Sequence, residues 1–331
     1  KVDKDIIPSA KNAYFEYDWS KVSPQLTQIV PTPVKQSFGG KTTTIDKEWG
    51  VTFDNGLENE GDYLKSTFAD LGIDLNGTKK KIVLTLDGKI SSSESYRLSI
   101  GENKIEIKGS DAAGVFYGIQ SILSLLPVES FAQKSGSITL AQGTIEDAPR
   151  YDYRGMHVDV GRNFQKKETI FKMLDLMALY KLNKLLFYLT EDEGWRIEIK
   201  QLPELAEVGG RRGHTIEEES YLKPAYGSGI DGEYGTGYYT QEEYIEIVQY
   251  ANERHIEMIP EVNLPGHSRA AITAMNVRYK RKMAEGDEAG ALEYLLVDFD
   301  DVSVYESAQG YSDNVVCVCR ESVYKFYETV I

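Results

Sequence analysis

Apolar residues recur along this chain with two different periods. Tyr96, Leu98 and Ile100 alternate with polar residues in SYRLSI, and after a GEN turn Ile105 and Ile107 alternate in KIEIKG, which predicts a hairpin with one buried face. KIVLTL (81–86) reads as a compact strand. Tyr63, Leu64, Phe68 and Leu71 fall at helical spacing and predict a helix over about 57–72. Val115, Ile119, Ile122, Leu123 and Leu126 make one stripe of a second helix, capped by Asp111 and stopped by Pro127. VPTPVKQSFGG (30–40) reads as an entry punctuated by Pro and Gly.

After a junction at IEDAPRYDY (145–153) the layout changes. Three segments each run a short apolar strand straight into ionisable residues: RGMHVDVGR (154–162), KLLFYLTEDEGWR (184–196) and IEMIPEVNLPGHS (256–268). LLFYL lacks alternation, as a strand covered on both faces does. Ile170, Leu174 and Met177 place a helix after the first segment. Thr240 and Glu243 form a capping box for another helix, which presents Tyr244, Val248 and Ala251. A Gly- and Tyr-rich stretch over about 207–239 is expected as a surface loop over a pocket mouth. Beyond residue 269, RAAITAMNVRYKRKMAEG is partly helical, DVSVYESAQGYSDN is loop, and ESVYKFYETVI opens a helix with Tyr324 and Phe326 among its apolar residues. The order strand, helix, strand, helix, strand predicts a parallel α/β architecture, in which functional side chains gather where strands end.

At 331 residues the chain exceeds the usual size of one core. We therefore expect two domains, an α+β unit over 1–147 and a parallel α/β unit over 148–331. A net charge of −15 excludes a phosphate backbone as partner, because such binding needs clustered Lys and Arg. No apolar run approaches the roughly 20 residues of a membrane span, and KVDKDIIPSAKN has no signal-peptide core, which leaves a cytosolic chain or one already processed. Cys317 and Cys319 are too close to close a useful loop and read as buried thiols. No HExxH occurs, the four histidines are dispersed, and no cofactor is expected.

The ionisable residues at the three strand ends are Arg162, Glu191, Asp192, Glu261 and His267. A guanidinium fork suits vicinal hydroxyls or a carboxylate, and an imidazole beside a carboxylate can tune a neighbouring acid. Together they suit a neutral, polyhydroxylated ligand. Structural readings stand beside these: Arg162 pairing with a carboxylate, Asp159 and Arg154 serving the fold, Asp192 and Glu261 accepting from backbone amides. A divalent ion held by Asp192, Glu261 and His267 is a further alternative.

In these segments the sequence resembles glycoside hydrolase family 20, the β-N-acetylhexosaminidases. The resemblance runs from about residue 28 to the last residue. IVPTP, KIEIKGSDAAGVFYGIQSIL and IEDAPRYDYRG match the family's non-catalytic α/β domain, while RGMHVDVGRNF, KLNKLLFYLTEDEGWRIEI and IPEVNLPGHS follow its barrel. It implies a (β/α)8 TIM-type barrel after the first domain. It also implies retaining hydrolysis of terminal β-linked N-acetylglucosamine or N-acetylgalactosamine from a glycan. The substrate's acetamido oxygen would attack the anomeric carbon and give an oxazolinium, one of the exceptions to the two-carboxylate scheme. Arg162 matches the arginine that binds the sugar's O3 and O4 hydroxyls. Glu191 and His267 match a supporting carboxylate-histidine pair, and Asp192, Glu261 and Asn263 are expected at the substrate. The family commonly has Asp at the positions of Glu191 and Asn263. Its catalytic Asp-Glu pair follows a fourth strand in a His-x-Gly-Gly-Asp-Glu context, which this sequence lacks. Gly286-Asp287-Glu288 is no substitute, because the RKMAE before it is charged and cannot be a buried parallel strand.

A barrel of this kind needs roughly 250 residues, more than residues 151–331 supply. We thus expect about the first three strand-helix units of a barrel, with the remainder, including the acid, in cis beyond Ile331 or in a second chain. The resemblance also implies an extracytoplasmic location. A glycan-binding protein without catalysis is the competing expectation.

Overall fold

A computed structural model describes residues 29–132, 134–226 and 235–331. The first half is a six-stranded sheet of β1 (Lys35–Ile45), β2 (Trp49–Phe53), β3 (Lys80–Leu86), β4 (Tyr96–Ile100), β5 (Lys104–Gly109) and β6 (Ile138–Asp147), in the order β1-β6-β4-β5-β3-β2. The β2–β3 and β3–β5 pairs are parallel and the others antiparallel. The predicted hairpin is β4–β5, with Tyr96, Leu98, Ile100, Ile105 and Ile107 all buried.

Helices α1 (Glu58–Asp70) and α2 (Ala112–Ser124) cover this sheet. Asp111 caps α2, its carboxylate accepting from the Gly114 amide at 2.8 Å. The single stripe expected for α2 is corrected. Phe116, Tyr117, Gln120 and Ser121 are buried as well, because the second half of the chain covers the other side of the helix, with Ala178 joining the same core. The entry at 30–40 is also corrected. From Lys35 it is strand β1, and the Ile145–Asp147 end of the junction is its partner β6. β1 is exposed over its first eight residues and bulges between Phe38 and Thr42, so it carries no apolar alternation to read.

The second half holds a three-stranded parallel sheet, β7 (Gly155–Asp159), β8 (Lys184–Tyr188) and β11 (Glu257–Glu261), in the order β11-β8-β7. Between β8 and β11 lies the small ribbon β9 (Thr190–Glu191) with β10 (Gly194–Trp195). Helix α3 (Lys167–Leu179) buries Ile170, Leu174 and Met177 against the sheet, as their spacing predicts. Helix α4 (Gln241–Asn252) begins with the Thr240–Glu243 capping box. Its buried residues are Ile247 and Ala251, whereas Val248 lies one position past the apolar face and is partly exposed.

Helices α5 (Arg269–Ala284) and α7 (Glu321–Val330) build a third core with Trp195, Leu202 and Leu205, and α6 (Glu288–Leu292) lies against α5. Asp287 caps α6, accepting from the Gly290 amide at 2.9 Å, so Gly286-Asp287 turns the chain between helices and Glu288 opens the second of them. In α7 the buried residues are Val323, Phe326 and Tyr327, while Tyr324 is exposed. Part of the predicted loop at 207–239, residues 227–234, lies outside the described residues, as do residues 1–28. The cysteine expectation fails: Cys319 is exposed and Cys317 only half-buried, because the turn into α7 carries them along the surface. No helix among the described residues is long and apolar enough to cross a membrane.

Candidate active site

The three parallel strands end in register. Asp159 on β7 pairs with Tyr188 on β8, which pairs with Glu261 on β11. Each exit loop therefore starts from the same rung of the sheet, and residues far apart in sequence meet there.

Arg162 leaves β7 through Gly161, where a Cβ would stand 2.9 Å from the Cβ of Glu191, so the glycine permits the close approach of the two exit loops. The Arg162 amide donates to Asp159 Oδ1 at 3.0 Å, and its guanidinium donates to Asp159 Oδ2 at 2.5 Å and to Glu191 Oε1. Burial alone would lower the guanidinium pKa, but the bond to Asp159 and the charges of Glu191 and Asp159 raise it. Arg162 is thus a fixed cation held by two carboxylates, with 28% of its side chain exposed.

Glu191 is fully enclosed. Its Oε1 also accepts from the Tyr188 hydroxyl at 3.0 Å, and its Oε2 accepts from the Asp192 amide at 2.5 Å. His267 Nδ1 lies 2.9 Å from Glu191 Oε1 and 3.5 Å from Asp192 Oδ2, while 45% of the imidazole side chain is exposed. His267 has φ of 53°, a left-handed conformation that histidine adopts more readily than most residues. The carboxylate is therefore the buried member of the pair, and the imidazole is the member that reaches outward.

Asp192 is enclosed, accepting from the Arg269 amide at the start of α5 at 3.1 Å and from Asn314 Nδ2 at 2.9 Å. Asn263 donates from its side-chain Nδ2 to the Tyr188 hydroxyl at 2.7 Å and to the Thr190 carbonyl at 2.6 Å. That hydroxyl joins Asn263 to Glu191, and burial first of all pushes the Tyr188 pKa up to about 12, so it stays protonated and donates. Glu261 ends β11, half-buried, with its carbonyl accepting from the Leu189 amide at 3.0 Å. Arg154 lies away from this group, paired with Glu94 at 2.7 Å and bonded to the Tyr117 hydroxyl at 3.1 Å.

Sequence reasoning missed several residues. Tyr188 bridges Glu191 and Asn263, but a tyrosine in an apolar run gives no sign of that. Asn314 meets Asp192 across 122 residues, and no local pattern announces it. Arg196 and Arg212 are buried cations that hold backbone. Arg196 donates to the carbonyls of Val160, Gly161, Gly210 and Gly237, and Arg212 donates to the Arg162 carbonyl at 2.6 Å. Burial and the charge of Arg212 bring the Arg196 pKa down to about 9. Glu193 is buried, and its pKa is raised by that burial and by the charge of Glu191.

Ligand atoms of Glu191, Asp192 and His267 lie within 4.8 Å of one another, the spacing of a cation site. The Arg162 guanidinium on Glu191, with the Arg269 amide and Asn314 on Asp192, already engages those oxygens. A divalent ion would have to displace a bound guanidinium, so the constellation suits a neutral ligand better.

The sequence model of the glycosyl hydrolase family 20 catalytic domain matches residues 151–331, and that of domain 2 of the same family matches residues 26–148. This chain belongs to glycosyl hydrolase family 20. A β-hexosaminidase of Vibrio vulnificus is 41% identical over 99% of the chain, which covers 38% of that protein. An N,N'-diacetylchitobiase of Vibrio harveyi is 40% identical over 92% of the chain, which covers 34% of it. Among solved structures, a family 20 exo-β-N-acetylglucosaminidase of Vibrio harveyi in complex with N-acetylglucosamine superposes with a TM-score of 0.78 at 29% identity, covering 92% of this chain and 44% of that one. A β-N-acetylhexosaminidase of Streptomyces coelicolor superposes with a TM-score of 0.69 at 30% identity, covering 92% and 56%. The family 20 chain thus spans a little over a third of the length of these sequence relatives. The strand-end cluster lies wholly within the part matched by the catalytic-domain model.

Proposed function

We propose that this family 20 chain carries the sugar-gripping half of an exo-acting β-N-acetylhexosaminidase. The observation that carries the reading is Arg162, clamped by Asp159 and Glu191 at the strand ends with His267 on the same carboxylate. A guanidinium fixed in this way offers its remaining donors to two neighbouring hydroxyls at little entropic cost. The Glu191–His267 pair supplies an imidazole tied to a buried carboxylate, placed to tune an acid brought up beside it. Asn263 lines the site through Tyr188, and Glu261 ends the adjacent strand. Asp192, with its oxygens taken by Arg269 and Asn314, serves as the floor that sets the His267 loop.

In this proposal the three-stranded sheet is the first arc of a (β/α)8 barrel, with residues 1–147 as its companion unit. Two features support that geometry. Among the described residues β7 and β11 each pair with β8 on one side only, and Gly155, Met156 and His157 of β7 are exposed, where a closed barrel buries them. The polypeptide that completes the arc would bring the acid and the residue that orients the substrate's acetamido group. Hydrolysis then follows the neighbouring-group route, and an extracytoplasmic location belongs to the same reading.

The test is kinetic. The full-length enzyme is expected to release chromophore from an aryl N-acetyl-β-glucosaminide, and Arg162→Ala to raise KM and lower kcat. Unchanged kinetics would remove Arg162 from the site, and binding of the sugar without turnover by the full-length protein would favour a glycan-recognition role.

A further inference from the structure

We infer that Cys317 and Cys319 form a redox-active dithiol that closes an internal disulfide by exchange with a small external disulfide. The two Sγ atoms stand 2.9 Å apart, already inside ordinary sulfur-sulfur contact, and bond formation needs a further approach of only about 0.9 Å to reach roughly 2.05 Å. Cys319 is exposed and Cys317 half-buried, so one sulfur is open to an attacking reagent and the other waits beside it. They are the two cysteines of the sequence. A ring this small gains little from chain entropy, which leaves the bond reversible and unsuited to serve as a staple.

The exchange balances in two steps. The Cys319 thiolate attacks one sulfur of the external disulfide, forming a mixed disulfide and releasing one small thiolate. The Cys317 thiolate then attacks Cys319 Sγ and releases the second. The protein dithiol is oxidised by two electrons, the external disulfide is reduced to two thiols, and the two protein protons end on those thiols.

The position of the pair gives the chemistry a route to the strand-end site. The Cys317 amide donates to the Leu296 carbonyl at 2.8 Å and the Val316 amide to the Pro265 carbonyl at 2.9 Å. Two residues earlier Asn314 donates to Asp192, and its carbonyl accepts from the Ser268 amide at 3.0 Å. Asn314 and Val316 are therefore stitched to the loop that carries His267, and closing the sulfurs one residue further on tightens that attachment.

The experiment incubates the protein in buffers of graded reduced-to-oxidised glutathione ratio, quenches with acid, alkylates, and weighs the proteolytic peptide holding residues 317–319. The expected result is replacement of the doubly alkylated peptide by an unalkylated one whose mass is two hydrogens below that of the free dithiol peptide, over a roughly hundredfold range of the oxidant ratio. Cys317→Ser should instead accumulate glutathione on Cys319. Two alkylatable thiols at every ratio, stable glutathione adducts on both cysteines of the wild type, or no adduct in the variant would overturn the inference. Hydrogen exchange at Val316 and Ser268 should slow in the oxidised form, and equal exchange in both forms would contradict the coupling to the His267 loop. None of these readouts depends on sugar binding, so the inference can fail while the hexosaminidase reading stands.

Discussion

At the scale of residues, the site is an arginine held by carboxylates and an imidazole held by one of them. Arg162, Glu191 and His267 were legible in the sequence because each is an ionisable residue just past an apolar strand, a place where a charge has little structural reason to be. Tyr188 was not legible, since its hydroxyl matters only through partners that the fold brings to it. Tyr188→Phe removes one donor to Glu191 and one acceptor for Asn263. It should cost about 1–3 kcal/mol of stability, read by denaturant unfolding, and should weaken sugar binding. On the proposed reading Arg162→Ala removes charge-assisted bonds to the sugar worth about 1.5–3 kcal/mol, so kcat/KM of the enzyme should fall by roughly 10- to 100-fold.

At the scale of elements, what positions Arg162 is the β7 exit loop, and what holds that loop is backbone pinned by buried arginines. Arg196, fully buried, spans the carbonyls of β7's exit and of the Gly210 and Gly237 loops. Arg196→Met fills similar volume but takes the guanidinium donors from the carbonyls of Val160, Gly161 and Gly237, while Gly210 keeps the Gly237 amide. We expect a loss of about 3 kcal/mol or more in unfolding free energy, with the sugar site loosened in parallel, and a wild-type midpoint would contradict this role. Elements with a strong local signal were readable: the β4–β5 hairpin and α3 lie where their apolar spacing puts them, and α4 starts at its capping box. β1 was not, because KQSFGGKTTTI lies along an edge with little to bury. α2 was half readable. Its stripe was visible, but the burial of its other face is imposed by a neighbouring unit, which no local periodicity encodes.

At the scale of the whole molecule, the two halves are joined by buried polar contacts. Glu60 on α1 meets His255 Nε2, beyond α4, at 2.7 Å, and the Arg154–Glu94 and Lys181–Asp147 pairs join the same two halves. Burial would raise the Glu60 pKa, but the hydrogen bonds from His255 and Asn59 outweigh it and hold the carboxyl below the ordinary 4.5. A carboxylate lowered in the folded state stabilises above its ordinary pKa, and that contribution is lost as pH falls through the folded value. Glu60→Gln should therefore cost about 1.5–3 kcal/mol at pH 7 and much less near pH 3, measured by chemical denaturation at the two pH values. A cost equal at both would show that the charge plays no part. The change of pattern near residue 150 was legible, but these cross-contacts pair residues some 30 to 200 positions apart and leave no local trace.

The central claim is that Arg162, Glu191 and His267 act on one sugar. The most direct measurement is a crystal structure of the full-length protein soaked with N-acetylglucosamine. Two neighbouring sugar hydroxyls are expected on the Arg162 guanidinium, with the Glu191–His267 pair intact beside the ring. A sugar bound elsewhere, with Arg162 still fully engaged by Asp159 and Glu191 and touching no ligand atom, would contradict it.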